Sequence, residues 1–149
     1  MFRAGRAPRV ENDVATLSVL LVDDSPHFLR ILDRFLSDYS EDMLRVVGSV
    51  AGGRDAVAEA ERLRPDVILV DLKMPDVPGL QLLPQLRRTL PDAILVALTL
   101  MDADEYREDA LAAGADAFVS KTSLERDLIP VIQRLASRAP RLGMIPQEG

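Results

Sequence analysis

The sequence contains no cysteine. Disulfides, thiolate metal sites and thiol redox switching are therefore excluded. A single histidine, His27, cannot build a metal centre by itself. No apolar run approaches the roughly 20 residues that a membrane helix needs; the longest is Ala93 to Leu98. The basic start, Met1 to Val10, is not followed by an apolar segment, so no secretory signal is read. Lysine is nearly missing too. Of 18 basic residues, only Lys73 and Lys121 are lysines. Asp plus Glu is 24, which sets the net charge at −6. That sign argues against direct nucleic-acid binding through a basic face. What remains is 149 residues, 48% apolar and 28% charged. That composition predicts one soluble, cytoplasmic domain without membrane insertion.

Residues 1–16 have no period and read as a flexible N-terminal arm. From Leu17 short apolar runs alternate with amphipathic stretches. Ser18 to Val22 is the first predicted strand and ends in Asp23-Asp24. Ser25-Pro26 is helix-start chemistry, and Phe28, Ile31, Leu32, Phe35 and Leu36 form the helix stripe. Leu44 to Val50 is the second strand, followed by a helix near Gly53 to Leu63. Val67 to Val70 is the third and ends at Asp71. Met74 to Gly79 is turn chemistry. A helix over about Leu80 to Arg88 points Leu82, Leu83 and Leu86 inward, with Pro84 an awkward guest. Ala93 to Leu98 is the fourth strand and ends at Thr99. Asp102 to Ala113 is helical, with Gly114 as its stop. Ala117 to Ser120 is the fifth strand and ends at Lys121. Leu124, Leu128, Val131, Ile132 and Leu135 line the last helix, which Pro130 interrupts. Residues 137–149 read as a tail.

Strands apolar throughout, with helices between them, imply a parallel sheet covered on both faces. The predicted fold is α/β: a doubly wound, flavodoxin-like (βα)5 sheet in the order 2-1-3-4-5. Sites in such sheets lie outside the carboxyl ends of the strands, at the switch point between strands one and three. Those two strands carry Asp23, Asp24 and Asp71. Three carboxylates in one crevice repel each other unless protonated or met by a cation. Mg²⁺ suits them, since it takes few protein carboxylates and keeps its waters. Lys121 adds a point charge and Thr99 a hydroxyl. Together these groups form a phosphoryl-transfer site with a carboxylate nucleophile.

Four stretches carry a family resemblance: Val19 to Ser25, Pro65 to Pro75 with Gly79, Leu98-Thr99, and Ala112 to Lys121. In this order the chain resembles a receiver domain of bacterial two-component response regulators over about Leu17 to Ala136. Locally it is similar to the nitrate-regulator-like class. The resemblance implies that Asp71 accepts a phosphoryl group from a sensor histidine kinase or phosphotransfer protein. It implies Mg²⁺ on Asp24, Asp71 and the backbone carbonyl of Lys73, with Asp23 acting directly or through water. It implies that Lys121 pairs with the phosphoryl oxygens, and that Thr99 and Phe118 switch on phosphorylation, Phe118 turning inward. Three positions depart from common receivers. Thr122 follows Lys121 where many have proline. Leu100, a bulky residue, follows Thr99 and narrows access. Phe118 lacks a tyrosine hydroxyl.

Residues 137–149 are too few for a helix-turn-helix domain, which points to a stand-alone receiver. Output would then pass to a downstream protein effector, a relay partner or a homodimer. Two other readings stay open. An aspartyl-phosphate phosphatase would carry a second Asp two residues after its nucleophile, where Lys73 stands. A pseudo-receiver adaptor would work unphosphorylated. His27 is read as exposed, and Arg134, Arg138 and Arg141 as a solvated end.

Overall fold

The structure is a computed structural model that describes residues 16–40, 42–100 and 104–138. The expected arm up to residue 15, the start of the fourth helix at Asp102 and the tail from 139, with Arg141, lie outside the described residues.

Among the described residues, five strands and five helices alternate. They are β1 (Leu17–Val22), α1 (Pro26–Ser40), β2 (Leu44–Val50), α2 (Ala56–Leu63), β3 (Val67–Asp71), α3 (Gly79–Thr89), β4 (Ile94–Thr99), α4 (Asp104–Ala113), β5 (Ala117–Ser120) and α5 (Leu124–Arg138). A single 3₁₀ turn, Lys121–Ser123, joins β5 to α5. The strands form one parallel sheet in the order β2-β1-β3-β4-β5. This is the doubly wound, flavodoxin-like order expected from the alternation of apolar runs and amphipathic stretches.

Strand alternation sorts the core into two layers. Leu20, Val22, Ile68, Val70, Leu95 and Phe118 pack under α2, α3 and α4 with Leu82, Leu83, Leu86 and Ala110. Val19, Leu21, Val67, Leu69, Val96 and Val119 pack under α1 and α5 with Leu32, Leu36, Leu128 and Ile132. The central strand β3 is buried along its whole length. Strand β2 lies at the sheet edge and is buried only at its ends, Leu44 and Val50.

Local chemistry sets the element ends. The Phe28 N–H donates to Ser25 Oγ at 3.1 Å, so Ser25 caps α1 as expected. Helix α4 closes at Gly114, φ +125°, with the Ala115 N–H donating to the Ala110 carbonyl at 3.0 Å. Helix α2 begins three residues later than the pattern suggested, because Gly52 and Gly53 belong to the preceding turn. Pro84 and Pro130 stand inside α3 and α5, and both helices continue through them. Each proline removes one intrahelical donor.

Arg87, near the end of α3, closes the opposite end of the sheet from the carboxylates. Its guanidinium donates to the carbonyls of Pro91 (2.9 Å), Ala93 (2.7 Å) and Gly114 (2.8 Å), and to Asp116 Oδ2 (2.8 Å). Asp116 in turn accepts the Leu95 N–H at 2.9 Å. One planar fork thus binds the α3–β4 and α4–β5 connections together. Arg87→Met is expected to lower stability by about 2–3 kcal/mol, because part-buried carbonyls lose a charged donor. Urea unfolding of the variant checks this; an unchanged midpoint would count against the clamp.

Candidate functional site

The carboxyl ends of β1, β3, β4 and β5 meet at one edge of the sheet. Asp23 follows β1, Asp71 ends β3, Thr99 ends β4, and Lys121 follows β5. Asp23, Asp71 and Thr99 are buried, at 1%, 3% and 0% exposure. Asp24 is exposed at the rim. One oxygen from each of Asp23, Asp24 and Asp71 lies within 4.8 Å of the others. The crevice predicted from strand ends is thus assembled.

Lys121 reaches into it. Its Nζ stands 2.6 Å from Asp23 Oδ2 and 3.5 Å from Asp71 Oδ1. Asp23 Oδ1 accepts the Ser25 N–H at 2.9 Å, so both Asp23 oxygens are engaged. Asp71 Oδ1 accepts the Lys73 N–H at 3.2 Å. Burial, with the Asp23 charge adding to it, pushes the Asp71 carboxyl up to about 6. The Lys121 ammonium and the Lys73 N–H oppose that rise.

The loop carrying Asp71 is fixed from below and from the side. The Leu72 N–H donates to the Leu98 carbonyl at 2.9 Å, and the Gly79 N–H to the Leu72 carbonyl at 3.1 Å. A Cβ at Gly79 would stand 2.5 Å from the Leu72 Cα and 2.6 Å from the Asp71 carbonyl oxygen. Only glycine fits that approach. From the side, Asp76 accepts the N–H groups of Gly53 (3.1 Å) and Arg54 (3.0 Å). Those two donors, Gly53 foremost, hold its carboxyl below the usual range. Asp76 thereby ties the Asp71 loop to the β2–α2 turn.

Other predicted positions lie close by. The Lys73 ammonium is 5.6 Å from the centre of the Tyr106 ring on α4. Leu100 is 70% exposed. With Ser25, Phe28, Ile31 and Lys121 it lines a groove of about 750 Å³. Thr122 lies in the capped turn, its N–H donating to Ser120 Oγ at 3.2 Å. Phe118 is already inside the core, with the Arg107 guanidinium 5.2 Å from its ring centre. His27 and Arg134 are exposed, as read. Sequence reasoning placed Phe28 only in the core stripe and Asp76 only in a turn. The Lys121 ammonium in fact lies 4.1 Å from the Phe28 ring centre. Neither contact has a local signal, because the partners are far apart in the chain.

Comparison with known proteins agrees with this fold. The response regulator receiver domain family matches residues 19–133. Response regulator protein VraR of Staphylococcus aureus is 34% identical over 119 residues, covering 80% of this chain and 56% of that protein. The chain thus spans about half the length of the curated relatives it matches. Among solved structures, the receiver domain of the putative response regulator NarL from Mycobacterium tuberculosis is 27% identical at a TM-score of 0.75. That match covers 84% of this chain and 99% of that one. A LuxR-family two-component response regulator from Aurantimonas is 26% identical at a TM-score of 0.76, covering 83% and 88%. Among the described residues, no helix is long and apolar enough to cross a membrane.

A raised carboxyl means that Asp71 binds more protons folded than unfolded between 3.8 and about 6. Its stabilising share is present below the unfolded value and is lost as pH rises through the folded one. Urea midpoints of metal-free protein are expected to fall from this group over that window. Asp71→Asn removes that share of the slope. An Asp71 carboxyl carbon titrating near its ordinary value by NMR would overturn this.

Proposed function

The chain belongs to the response regulator receiver domain family, and on that premise we propose that Asp71 is its phosphoacceptor. Receiver domains interact with histidine kinases or phosphotransfer proteins, so the donor is a phosphohistidine on one of these. An Asp71 carboxylate oxygen attacks phosphorus. The new bond is O–P, the bond broken is P–N, and the imidazole leaves with its electron pair. The observation that carries this reading is the Lys121 ammonium between two buried carboxylates, 2.6 Å from Asp23 and 3.5 Å from Asp71. A fixed positive charge there is in reach of phosphoryl oxygens as they arrive.

The donors suit a divalent cation, because three hard oxygen ligands converge and the Asp71 carboxyl is raised partly by its acidic neighbours. Asp24 and Asp71 would hold Mg²⁺ with the Lys73 backbone carbonyl. Asp23, with both oxygens bonded, would act through water. When bound, the ion supplies positive charge that offsets the carboxylates and the phosphoryl oxygens. Thr99, at the end of β4, is assigned a hydrogen bond to a phosphoryl oxygen. Phe118 is assigned the response on the α4–β5–α5 face. Its ring is already inward, so that response begins from a buried ring rather than an exposed one.

The output is read as binding of a protein partner, a downstream effector or relay protein, or of a second copy. The net charge of −6 favours protein over nucleic acid for these residues. A cytoplasmic location, where histidine kinases meet their regulators, belongs to the same proposal. No second acidic residue stands two positions after Asp71, where an aspartyl-phosphate phosphatase would need one; Lys73 is there.

With Mg²⁺ and acetyl phosphate or beryllofluoride, one adduct is expected on the wild type and none on Asp71→Asn. Mass spectrometry reads the phosphoryl group and NMR the fluoride. An adduct that persists in Asp71→Asn would sink the assignment. Leu100 stands over the groove beside Lys121, so Leu100→Ala opens a path for water. Dephosphorylation of that variant is expected to quicken by roughly 2–10-fold. A rate equal to that of the wild type would show that Leu100 does not restrict access.

A further inference from the structure

The Lys121 ammonium is held on three sides, and only two are carboxylates. Its side chain is 10% exposed. Asp23 and Asp71 take two directions. On a third side the ring centre of Phe28 lies 4.1 Å away. An ammonium at that distance is attracted by the negative face of an aromatic ring, more strongly where water is excluded.

The placement of the ring follows from the start of α1. Ser25 Oγ accepts the Phe28 N–H, and the Ser25 N–H donates to Asp23 Oδ1. The cap therefore ties Phe28 to the carboxylate that Lys121 also grips. Leu29, Leu32 and Leu36 of α1 are buried, whereas of the expected stripe Phe28 and Phe35 are half-buried and Ile31 is exposed along the groove. An aliphatic residue would serve the stripe as well. What the ring adds is a π face turned to Lys121.

We propose that Phe28 is a positioning residue for phosphoryl binding: its ring face holds the Lys121 ammonium at the mouth of the site. This rests on the reading of Asp71 as phosphoacceptor. A phosphoryl group on Asp71 competes with Asp23 for the ammonium. A lysine kept between ring and carboxylates meets that group with little rotamer freedom left to lose. Without the ring, the groove of about 750 Å³ beside Lys121 admits water and other rotamers.

The test separates ring electrostatics from packing. Phenylalanine with one, two or three ring fluorines is placed at position 28 alone. Each fluorine drains the ring face and hardly changes its volume. Beryllofluoride affinity with Mg²⁺ is measured, together with the thermal midpoint. The dissociation constant is expected to climb step by step, to about fivefold for the trifluoro ring, while the midpoint shows no such gradation. Phe28→Leu should lose about tenfold, and Phe28→Tyr should stay near wild type. A flat fluorinated series overturns the proposal even where Phe28→Leu is impaired, since packing alone would then explain the leucine variant. The Lys121 ε-methylene protons give a reading without any phosphoryl analogue. The ring should shift them upfield in the wild type, and Phe28→Leu should abolish the shift. Wild type that shows the shift and binds no beryllofluoride refutes the Asp71 reading, and this proposal with it. Wild type that binds beryllofluoride with a flat series refutes the role of Phe28 alone.

Discussion

Two carboxylates, Asp23 and Asp71, are buried within reach of one ammonium, and a third, Asp24, stands at the rim. Burying charge is costly, and like charges close together cost more. Among the described residues, the buried carboxylates lie at this one edge. Everything around the edge holds these groups from relaxing apart. Asp23 is pinned through the Ser25 N–H and Lys121, and Asp71 through the Lys73 N–H and Lys121. Burial first, and the Asp23 charge second, leave the Asp71 carboxyl raised. An arriving cation relieves the carboxylates. On the proposed reading, an arriving phosphoryl group would find the ammonium already placed.

The sheet makes such a cluster cheap to position. Parallel strands deliver their carboxyl ends to the same side, and β1 and β3 are hydrogen-bonded neighbours. Helices leave this edge from β1 and β3 in opposite directions, into the two separate cores. The loops there have no sheet to order them, so other contacts must. Gly79 lets the Asp71 loop fold back on Leu72, and Asp76 anchors that loop to the β2–α2 turn. At the far edge Arg87 does the corresponding work for the return connections. The carboxylate edge is thus tied together without a continuous hydrogen-bond ladder.

How much of this was legible depends on range. Strand ends were readable because burial on both faces leaves β3 and β4 as unbroken apolar runs. Asp71 and Thr99 stand where those runs stop, and Lys121 follows β5, so the crevice could be assembled by counting. Gly53 reads as a helix start because Ala56, Val57, Ala60 and Leu63 share one face, yet the helix begins only at Ala56. What could not be read joins residues distant in sequence: Phe28 with Lys121, Asp76 with Gly53, Arg87 with Gly114. A period of 3.6 or 2 reports which face of an element is apolar. It carries no signal for which polar group crosses a groove to meet another. Phe118 illustrates the limit, since an aromatic in a buried strand reads alike as core or as switch.

The scarcity of lysine now has a structural counterpart. Both lysines stand beside Asp71, and both lie on aromatic faces: Lys121 on Phe28 at 4.1 Å and Lys73 on Tyr106 at 5.6 Å. Elsewhere this chain uses arginine, as at Arg87, where a planar fork meets several carbonyls at once. A guanidinium spreads its charge over a plane and demands donors in a fixed pattern. Between Asp23 and Asp71 there is space for one compact charge. On the proposed reading, an ammonium there would turn its three donors from carboxylate to phosphoryl oxygen. The ring below it imposes no hydrogen-bond direction, so it steadies the charge without fixing which oxygen the charge must serve.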